Sequence, residues 1–463
     1  MLYSRRDFLY SGVAVATGFL GLRNLLQTPL YAGSPPPRLF GELVKDPQRI
    51  LDLPPGFSYQ VISRVGDVMN DQLLVPGAPD GMAAFAWPDG TTILVRNHET
   101  TPLDCGPFGA NGELLSRINS DRLYDVPSSV QPCNGGTTTV VYDTKRQQVL
   151  SQFLSLGGTI RNCAGGPTPW NSWITCEETD VVIGGDALLG YPAAKDHGFN
   201  FEVPLTSSPL LQPATPLKAM GRFRHEAVAV DATSGIVYQT EDQDDGLIYR
   251  FLPKSPGRLA AGGKLQALCI DGKTSFDTRN WQQQDVEVGT RLPTRWIDLH
   301  NVDSPIDDLR QRGFCRGAAI FARGEGMWKG HGEIFFACTS GGAALLGQIW
   351  RYQPSRLEGQ PGEREEPGVL ELFVEPNNTN LVHNADNLTI SPWGDIIVCE
   401  DRATDIVRII GITPEGHLYT LANNQLNSEF AGATFSPDGS TLFVNIQGPG
   451  LTLAICGPFD RLV

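Results

Sequence analysis

The chain has 463 residues, 51 acidic and 36 basic, giving a formal net charge of −15 at pH 7 and an isoelectric point near 4.9. That balance excludes nucleic acid or an anionic membrane surface as a direct partner, yet admits a small anion wherever bound cations reverse the local sign. Glycine (51) and proline (34) are plentiful, and the nine cysteines are scattered with no Cys-x-x-Cys pair. An odd count in an exported chain implies at least one thiol that is free or on a metal.

The N-terminus reads Ser4-Arg5-Arg6-Asp7-Phe8-Leu9, then an apolar, small-residue stretch from Tyr10 to about Leu22, then Tyr31-Ala32-Gly33-Ser34. This is the pattern of a twin-arginine targeting segment, residues 1–32, too short and too weakly apolar for a lasting membrane span. Residues 33–463 are expected to form a single catalytic domain, exported by the twin-arginine machinery to the periplasm or the extracellular space. That route carries folded proteins, which suits a chain that loads metals before leaving.

Short strands are predicted in quick succession: Phe57–Ile62, Thr91–Arg96, Gly136–Asp143, Val149–Leu156, Ser172–Cys176, Glu226–Asp231, Gly235–Thr240 and Leu247–Phe251. Further candidates are Ala318–Ala322, Glu333–Cys338, Gln348–Tyr352, Leu388–Ile390, Asp395–Cys399, Ile406–Ile410, Gly432–Phe435 and Thr441–Asn445. Helical periodicity is scarce beyond the targeting segment, with Ile306–Gln311 the best candidate. A strand-turn-strand unit repeats at Val228–Tyr238, Leu388–Val398 and Ala433–Phe443, the latter two turning through Pro392-Trp393-Gly394 and Pro437-Asp438-Gly439. Proline pre-sets φ in such turns and glycine accepts a positive φ. Repeated hairpins of this kind lead to an all-β fold, a six-bladed β-propeller with loop and small helical insertions at 104–134, 181–220 and 255–312. A pair of β-sandwiches is the alternative that the same pattern allows.

The acidic residues collect beside strand ends, as in Arg-Asn-His-Glu ending at Glu99, or Cys399-Glu400-Asp401. A fold that gathers strand ends on an axis would bring them into one anionic basin, and such a basin needs cations. Trp173-Ile174-Thr175-Cys176-Glu177-Glu178 ends a strand in a thiol and two carboxylates; alternation puts Cys176 and Glu178 on one face and Glu177 on the other. A thiolate beside a carboxylate suits a transition metal, whereas carboxylates alone suit calcium or magnesium. The alternative for Cys176 and Cys399 is that of small buried hydrophobes. Arg222-Phe223-Arg224-His225-Glu226 opens another strand, and Arg323-Gly324-Glu325-Gly326 lies in a glycine-rich stretch. An arginine beside a metal-bound carboxylate fits a phosphoryl group, with a simple loop-closing ion pair as the alternative. Asp80, Asn97, Glu99 and Asp386 are candidate oxygen ligands; His98 and His225 are either ligands or structural hydrogen bonders. Glu241–Gly246 resembles a fragment of a calcium loop without EF-hand spacing. There is no Gly-x-Ser-x-Gly elbow, no phosphate-binding P-loop and no His-Glu-x-x-His zinc helix.

Several of these motifs together resemble the PhoX-type alkaline phosphatases: the Arg-Arg-Asp-Phe-Leu signal, Gly-Arg-Phe-x-His-Glu-Ala at 221–227, Thr-Cys-Glu-Glu at 175–178 and Thr-Glu-Asp at 240–242. The others are Asn384-Ala385-Asp386-Asn387-Leu388 and Phe435-Ser436-Pro437-Asp438-Gly439 leading to Asn445-Ile446-Gln447. The resemblance implies a twin-arginine-exported, metal-dependent hydrolase of small phosphate monoesters that holds Ca2+ and Fe3+, with a cysteine on the iron. It implies that Cys176 is that cysteine, that Glu226 binds metal, that Arg323 and Glu325 meet phosphate and metal as the catalytic pair, and that Glu177 or Glu178 binds calcium. Asp80, Glu99 and Asp386 complete the expected metal set. A monomer is expected. Gly448 and Gly324 depart from the family's pattern, which bears on substrate preference. A calcium-dependent propeller lactonase and a non-enzymatic, calcium-stabilised propeller are the rival readings.

Overall fold

Antiparallel strands in chain-consecutive meanders dominate the computed structural model, which describes residues 40–127, 132–186, 190–378, 381–402, 406–414 and 418–459. The segment expected to be a twin-arginine signal, residues 1–32, lies outside those residues. The chain enters through β1 (Leu51–Asp52) and β2 (Ser58–Arg64). A four-stranded sheet follows: β3 (Pro79–Trp87), β4 (Thr91–His98), β5 (Gly135–Asp143) and β6 (Gln148–Thr159). Next comes a three-stranded sheet of β7 (Asn162–Pro167), β8 (Ser172–Glu177) and β9 (Asn200–Pro204). β10 (His225–Val230), β11 (Val237–Glu241), β12 (Ile248–Pro253) and β13 (Gly263–Ile270) run on into β14 (Arg291–Asp298). After a short helix, Leu309–Cys315, come β15 (Gly324–Lys329), β16 (Ile334–Cys338), β17 (Gln348–Gln353) and β18 (Val369–Val374). The chain ends with β19 (Ala385–Ile390), β20 (Ile396–Glu400), β21 (Val407–Ile412), β22 (Leu418–Asn424), β23 (Phe430–Phe435), β24 (Thr441–Ile446) and β25 (Leu451–Cys456).

The expectation of six separate blades is corrected by the pairing. Four sheets are blade-like, with five, four, four and three strands; the fifth has nine strands in the order β10-β11-β12-β13-β14-β18-β17-β16-β15. The cause is β14. Its C-terminal half pairs with β13 (Gln266 opposite Asp298) and its N-terminal residues pair with β18 (Arg291 opposite Glu371), so one strand welds two meanders together. The edge strands β10 and β15 then lie side by side, and the nine-stranded sheet nearly closes on itself. Two segments expected as loops contain strands: 181–220 holds β9, and 255–312 holds β13 and β14. Ala318–Ala322, expected as a strand, makes only isolated bridges at Ile320 and Phe321, and the helix expected at Ile306–Gln311 begins at Leu309.

The predicted repeat units are hairpins: β10–β11, β19–β20 and β23–β24 pair as expected, and Gly394 and Gly439 carry φ of 99° and 73° in their turns. The chain ends are tied in by β1 on the edge of β22 and β2 on the edge of β25. Apolar side chains fill the spaces between neighbouring sheets, for example Phe153, Trp173 and Phe201 in one layer and Phe430, Leu442 and Leu453 in another. Burying each such side chain is worth about 1.5–3 kcal/mol.

What positions the site is the inner edge. β3, β7, β10, β15, β19 and β23 follow one another around a central axis. Each breaks register with its outer neighbour once: between Pro79 and Met82, Asn162 and Gly165, His225 and Val228, Gly324 and Met327, Ala385 and Leu388, and Ala431 and Thr434. A bulge of this kind turns a strand and re-aims the side chain within it.

Candidate metal centre and phosphate site

The first residues inside those bulges, in order round the axis, are Asp80, Cys163, Glu226, Glu325, Asp386 and Gly432. Five of them are metal-ligating types, and the repeated bulge is what gathers them at one end of the axis. The residue that follows each is small or short because the backbones crowd there. A Cβ on Gly326 would stand 2.6 Å from the carbonyl oxygen of Asp386. Gly432, at φ 62°, has no room for a side chain beside the carbonyl oxygen of Asp80, 2.3 Å away. Below this level Met82, Trp173, Met327 and Trp328 line and close the axis.

Two groups of donors lie within 4.8 Å of one another and share Glu226: Cys163, Glu178 and Glu226, and Glu226, Glu325 and Asp386. Asp80 joins the same basin, because the side-chain amide of Gln447 donates to Asp80 Oδ2 (2.8 Å) and to Glu99 Oε2 (2.7 Å). Two arginines edge it. Arg161 pairs with Glu99 at 2.5 Å and with Glu178. Arg323 donates to Asp242 and to Glu325 Oε1 (2.9 Å). Both stand two residues before a bulge ligand, and both have left-handed backbone, φ 50° and 54°. Burial opposes their charge, but the surrounding carboxylates overcome it and hold both guanidinium pKa values above the usual range.

Carboxylates outnumber cations here, and the proton affinities show it. Burial, then the charges of Glu99 and Asp386, pushes Asp80 well above the usual carboxylate range. Burial and neighbouring carboxylates do the same to Glu178, Glu226 and Glu325. Asp386 is pushed up to about 7 by burial and by Asp401, and Glu429 to about 11 by burial and the same neighbour. Two buried oxygens, Asp80 Oδ1 and Asp386 Oδ1, have no hydrogen-bond partner among the described residues. Orphaned oxygens, crowded like charges and one thiol are the donor set that multivalent cations would satisfy. The site can bind metal ions.

The expected ligands divide. Asp80, Glu99, Glu178, Glu226, Glu325 and Asp386 all come to the basin, with Arg323 at its edge. Cys176 is absent from the donor groups; it lies beside Cys163 in the apolar layer with Ile174, Phe223 and Tyr249, where the charge of Glu226 still reaches it. The thiol in the basin is Cys163, whose Sγ also approaches the carbonyl oxygen of His225 at 3.3 Å. Glu177 also turns away. Its carboxylate accepts hydrogen bonds from the amides of Ile160, Gly198 and Phe199 and meets His197 Nδ1 at 2.6 Å. His98 bridges Gly77 O and Thr138 Oγ1, and His225 stacks on Phe223 and meets Gly221 O, so both are structural. Asn97 braces the Cys163 bulge, donating to the carbonyls of Cys163 and Ala164. Cys399 is buried among Ile397, Tyr419 and Leu442 as a small hydrophobe. All nine cysteines are free.

Comparison with known proteins agrees with this geometry. The family model described as alkaline phosphatase PhoX matches residues 38–450. The chain belongs to that family. It is accordingly a metal-dependent phosphomonoesterase. Among solved structures, PhoX of Pseudomonas fluorescens in complex with vanadate, a transition-state analogue, is 17% identical over 88% of this chain and 96% of that one, with a TM-score of 0.66. That likeness carries the PhoX fold. A gluconolactonase from Xanthomonas campestris (10% identity, 87% and 99% coverage) and a luciferin-regenerating enzyme (8%, 87% and 96%) reach TM-scores of only 0.37 and 0.41. No curated protein matches the chain.

Proposed function

We propose that this phosphatase hydrolyses small phosphate monoesters outside the cytoplasm with Ca2+ and Fe3+ held in the basin, and that Cys163 takes the place expected of Cys176. The supporting observation is the pair of donor groups that share Glu226, one with the thiol and one all-carboxylate. The thiol-bearing group suits iron and the all-oxygen group suits calcium. Bound there, the cations would neutralise the carboxylates, polarise the phosphoryl group and activate its nucleophile.

The chain's own residues do the rest. Asp242 and Glu325 orient Arg323 through Nε and Nη2, which leaves the two N–H groups of Nη1 to meet phosphoryl oxygens. Glu99 and Glu178 hold Arg161, between β6 and β7, through Nη2. Gln447 sets the orientation of Asp80 and Glu99 with one amide nitrogen. Glu325 both steadies Arg323 and offers an oxygen inward, so we assign it with Arg323 to the catalytic pair. The 1–32 segment supports twin-arginine export, with residues 33–463 as one catalytic domain acting as a monomer. No described helix is long and apolar enough to cross a membrane. The test is hydrolysis of p-nitrophenyl phosphate by mature protein before and after chelation, with calcium and iron restored separately. Full activity in metal-free protein would overturn the reading.

A further inference from the structure

Behind the basin, on the far side of Glu177, lies a second group of ligand atoms that phosphate hydrolysis does not use. Asp125, Cys133 and His197 are each fully buried, and one donor atom of each lies within 4.8 Å of the others. We propose that these residues form a structural site for one divalent transition-metal ion of the zinc class, separate from the carboxylate basin.

The histidine carries the argument. A metal-bound imidazole usually gives its other ring N–H to a carboxylate that fixes its tautomer and orientation. His197 Nδ1 lies 2.6 Å from Glu177 Oε1. Glu177 is itself fixed by the backbone amides of Ile160 (3.0 Å), Gly198 (2.9 Å) and Phe199 (3.2 Å). Nε2 is thereby turned toward Asp125, whose Oδ2 is 3.1 Å away. The other oxygen, Asp125 Oδ1, is buried with no hydrogen-bond partner among the described residues. Cys133 brings a sulfur from a small apolar group with Ile160, Val181, Tyr191 and Ala193.

A set of one sulfur, one imidazole nitrogen and one carboxylate oxygen is unsuited to calcium and suited to zinc. Binding sends to solvent the thiol proton of Cys133 and the proton held between His197 Nε2 and Asp125, leaving a thiolate and a bare imidazole nitrogen for the ion. The ion would join Asp125 and Cys133 to the end of β8, where Glu177 immediately precedes Glu178 of the basin. The competing arrangement is a protonated His197 between Glu177 and Asp125 with no metal, which leaves Asp125 Oδ1 unsatisfied.

The experiment equilibrates the full mature protein, its basin loaded with calcium and iron, with zinc sulfate, then desalts it. Zinc per chain is measured and the zinc-edge X-ray absorption recorded. The expected result is about one zinc per chain with one sulfur at about 2.3 Å and nitrogen or oxygen at about 2.0 Å. Cys133→Ser should lose the sulfur shell and most of the affinity, while Cys163→Ser keeps both. Should Cys133→Ser fold poorly, Glu177→Gln is read instead, with an expected 10- to 100-fold loss of zinc affinity. Wild-type protein that retains no zinc, a sulfur shell that survives Cys133→Ser, or an unchanged affinity in Glu177→Gln overturns the proposal. Iron content and phosphatase activity follow Cys163, so failure of the basin reading is seen separately.

Discussion

Arg323 meets Asp242 edge-on through two parallel hydrogen bonds, Nε to Oδ1 at 2.8 Å and Nη2 to Oδ2 at 2.9 Å. Its side chain is still 37% exposed, so the guanidinium is held in place yet open to an incoming anion. Replacing it with alanine should cost about 2–4 kcal/mol of transition-state stabilisation, roughly a 30- to 1,000-fold fall in kcat/KM on p-nitrophenyl phosphate. Arg323→Lys keeps the charge but not the fork and should fall in between. Wild-type kinetics in Arg323→Ala would remove Arg323 from the phosphate site.

The two candidate thiols give opposite outcomes. Cys163→Ser should abolish stoichiometric iron and with it the activity, since its sulfur lies with Glu178 and Glu226. Cys176→Ser puts a hydroxyl into the layer around Phe223 and Tyr249, costing about 1–3 kcal/mol of stability while iron and activity persist. Elemental analysis and a denaturant titration of both variants separate them. Iron loss in Cys176→Ser alone would reverse the assignment.

Much of the basin was legible because its carboxylates sit beside recognisable strands: Glu226 at the start of a Val-Ala-Val run, Asp386 just before Leu388–Ile390. The missed strands include three of the six inner ones. β3 starts at a proline, β7 is Asn-Cys-Ala-Gly-Gly-Pro and β15 begins Gly-Glu-Gly; crowding at the axis selects residues that weaken a strand signal. Cys163 was hidden for that reason. A signal was nonetheless present, since Cys163-Ala164, Glu226-Ala227, Glu325-Gly326 and Asp80-Gly81 share one pattern, a metal-ligating residue type followed by a small residue. Alternation along β8 grouped Cys176 with Glu178, but β8 ends at Glu177, and Glu178 reaches the basin while Cys176 stays in the apolar layer. Arg161 and Asp242 reach the site by side-chain length and loop path, which no local periodicity encodes. The sheet count failed on β14, whose double pairing joins residues far apart in the chain.

Gly326 tests the crowding directly. Beyond the Asp386 carbonyl, a Cβ there would stand 2.8 Å from Asn387 Cα, backbone that cannot yield without moving Asp386. Gly326→Ala should therefore cost about 1–3 kcal/mol of stability and weaken metal retention together. Thermal melts with and without added calcium measure the first, and elemental analysis after desalting the second. A variant as stable and as metal-rich as wild type would show that the inner strands are looser than drawn.

Removing the metals should invert the protein's response to pH. In the metal-free fold Asp386 keeps its proton to about 7 and Glu429 to about 11, both through burial and the nearby Asp401. The unfolded chain releases the same protons near pH 4. Between those values the folded state binds more protons, so stability falls as pH rises from about 4 through 7 and onward. Asp46 and Asp231 act in the other direction. Burial there is outweighed by hydrogen bonds from Tyr59 and from Ser234 and Lys329, so their contribution is lost only as pH falls below the ordinary carboxylate range. Chelated protein should thus melt highest at mildly acidic pH and progressively lower toward alkaline pH. Bound cations hold the carboxylates ionised, so the loaded protein should lose little or nothing over the same range. Melting curves taken with and without chelator from about pH 5 to 9 decide the matter, and parallel curves would mean that the basin's charge is balanced by something other than metal.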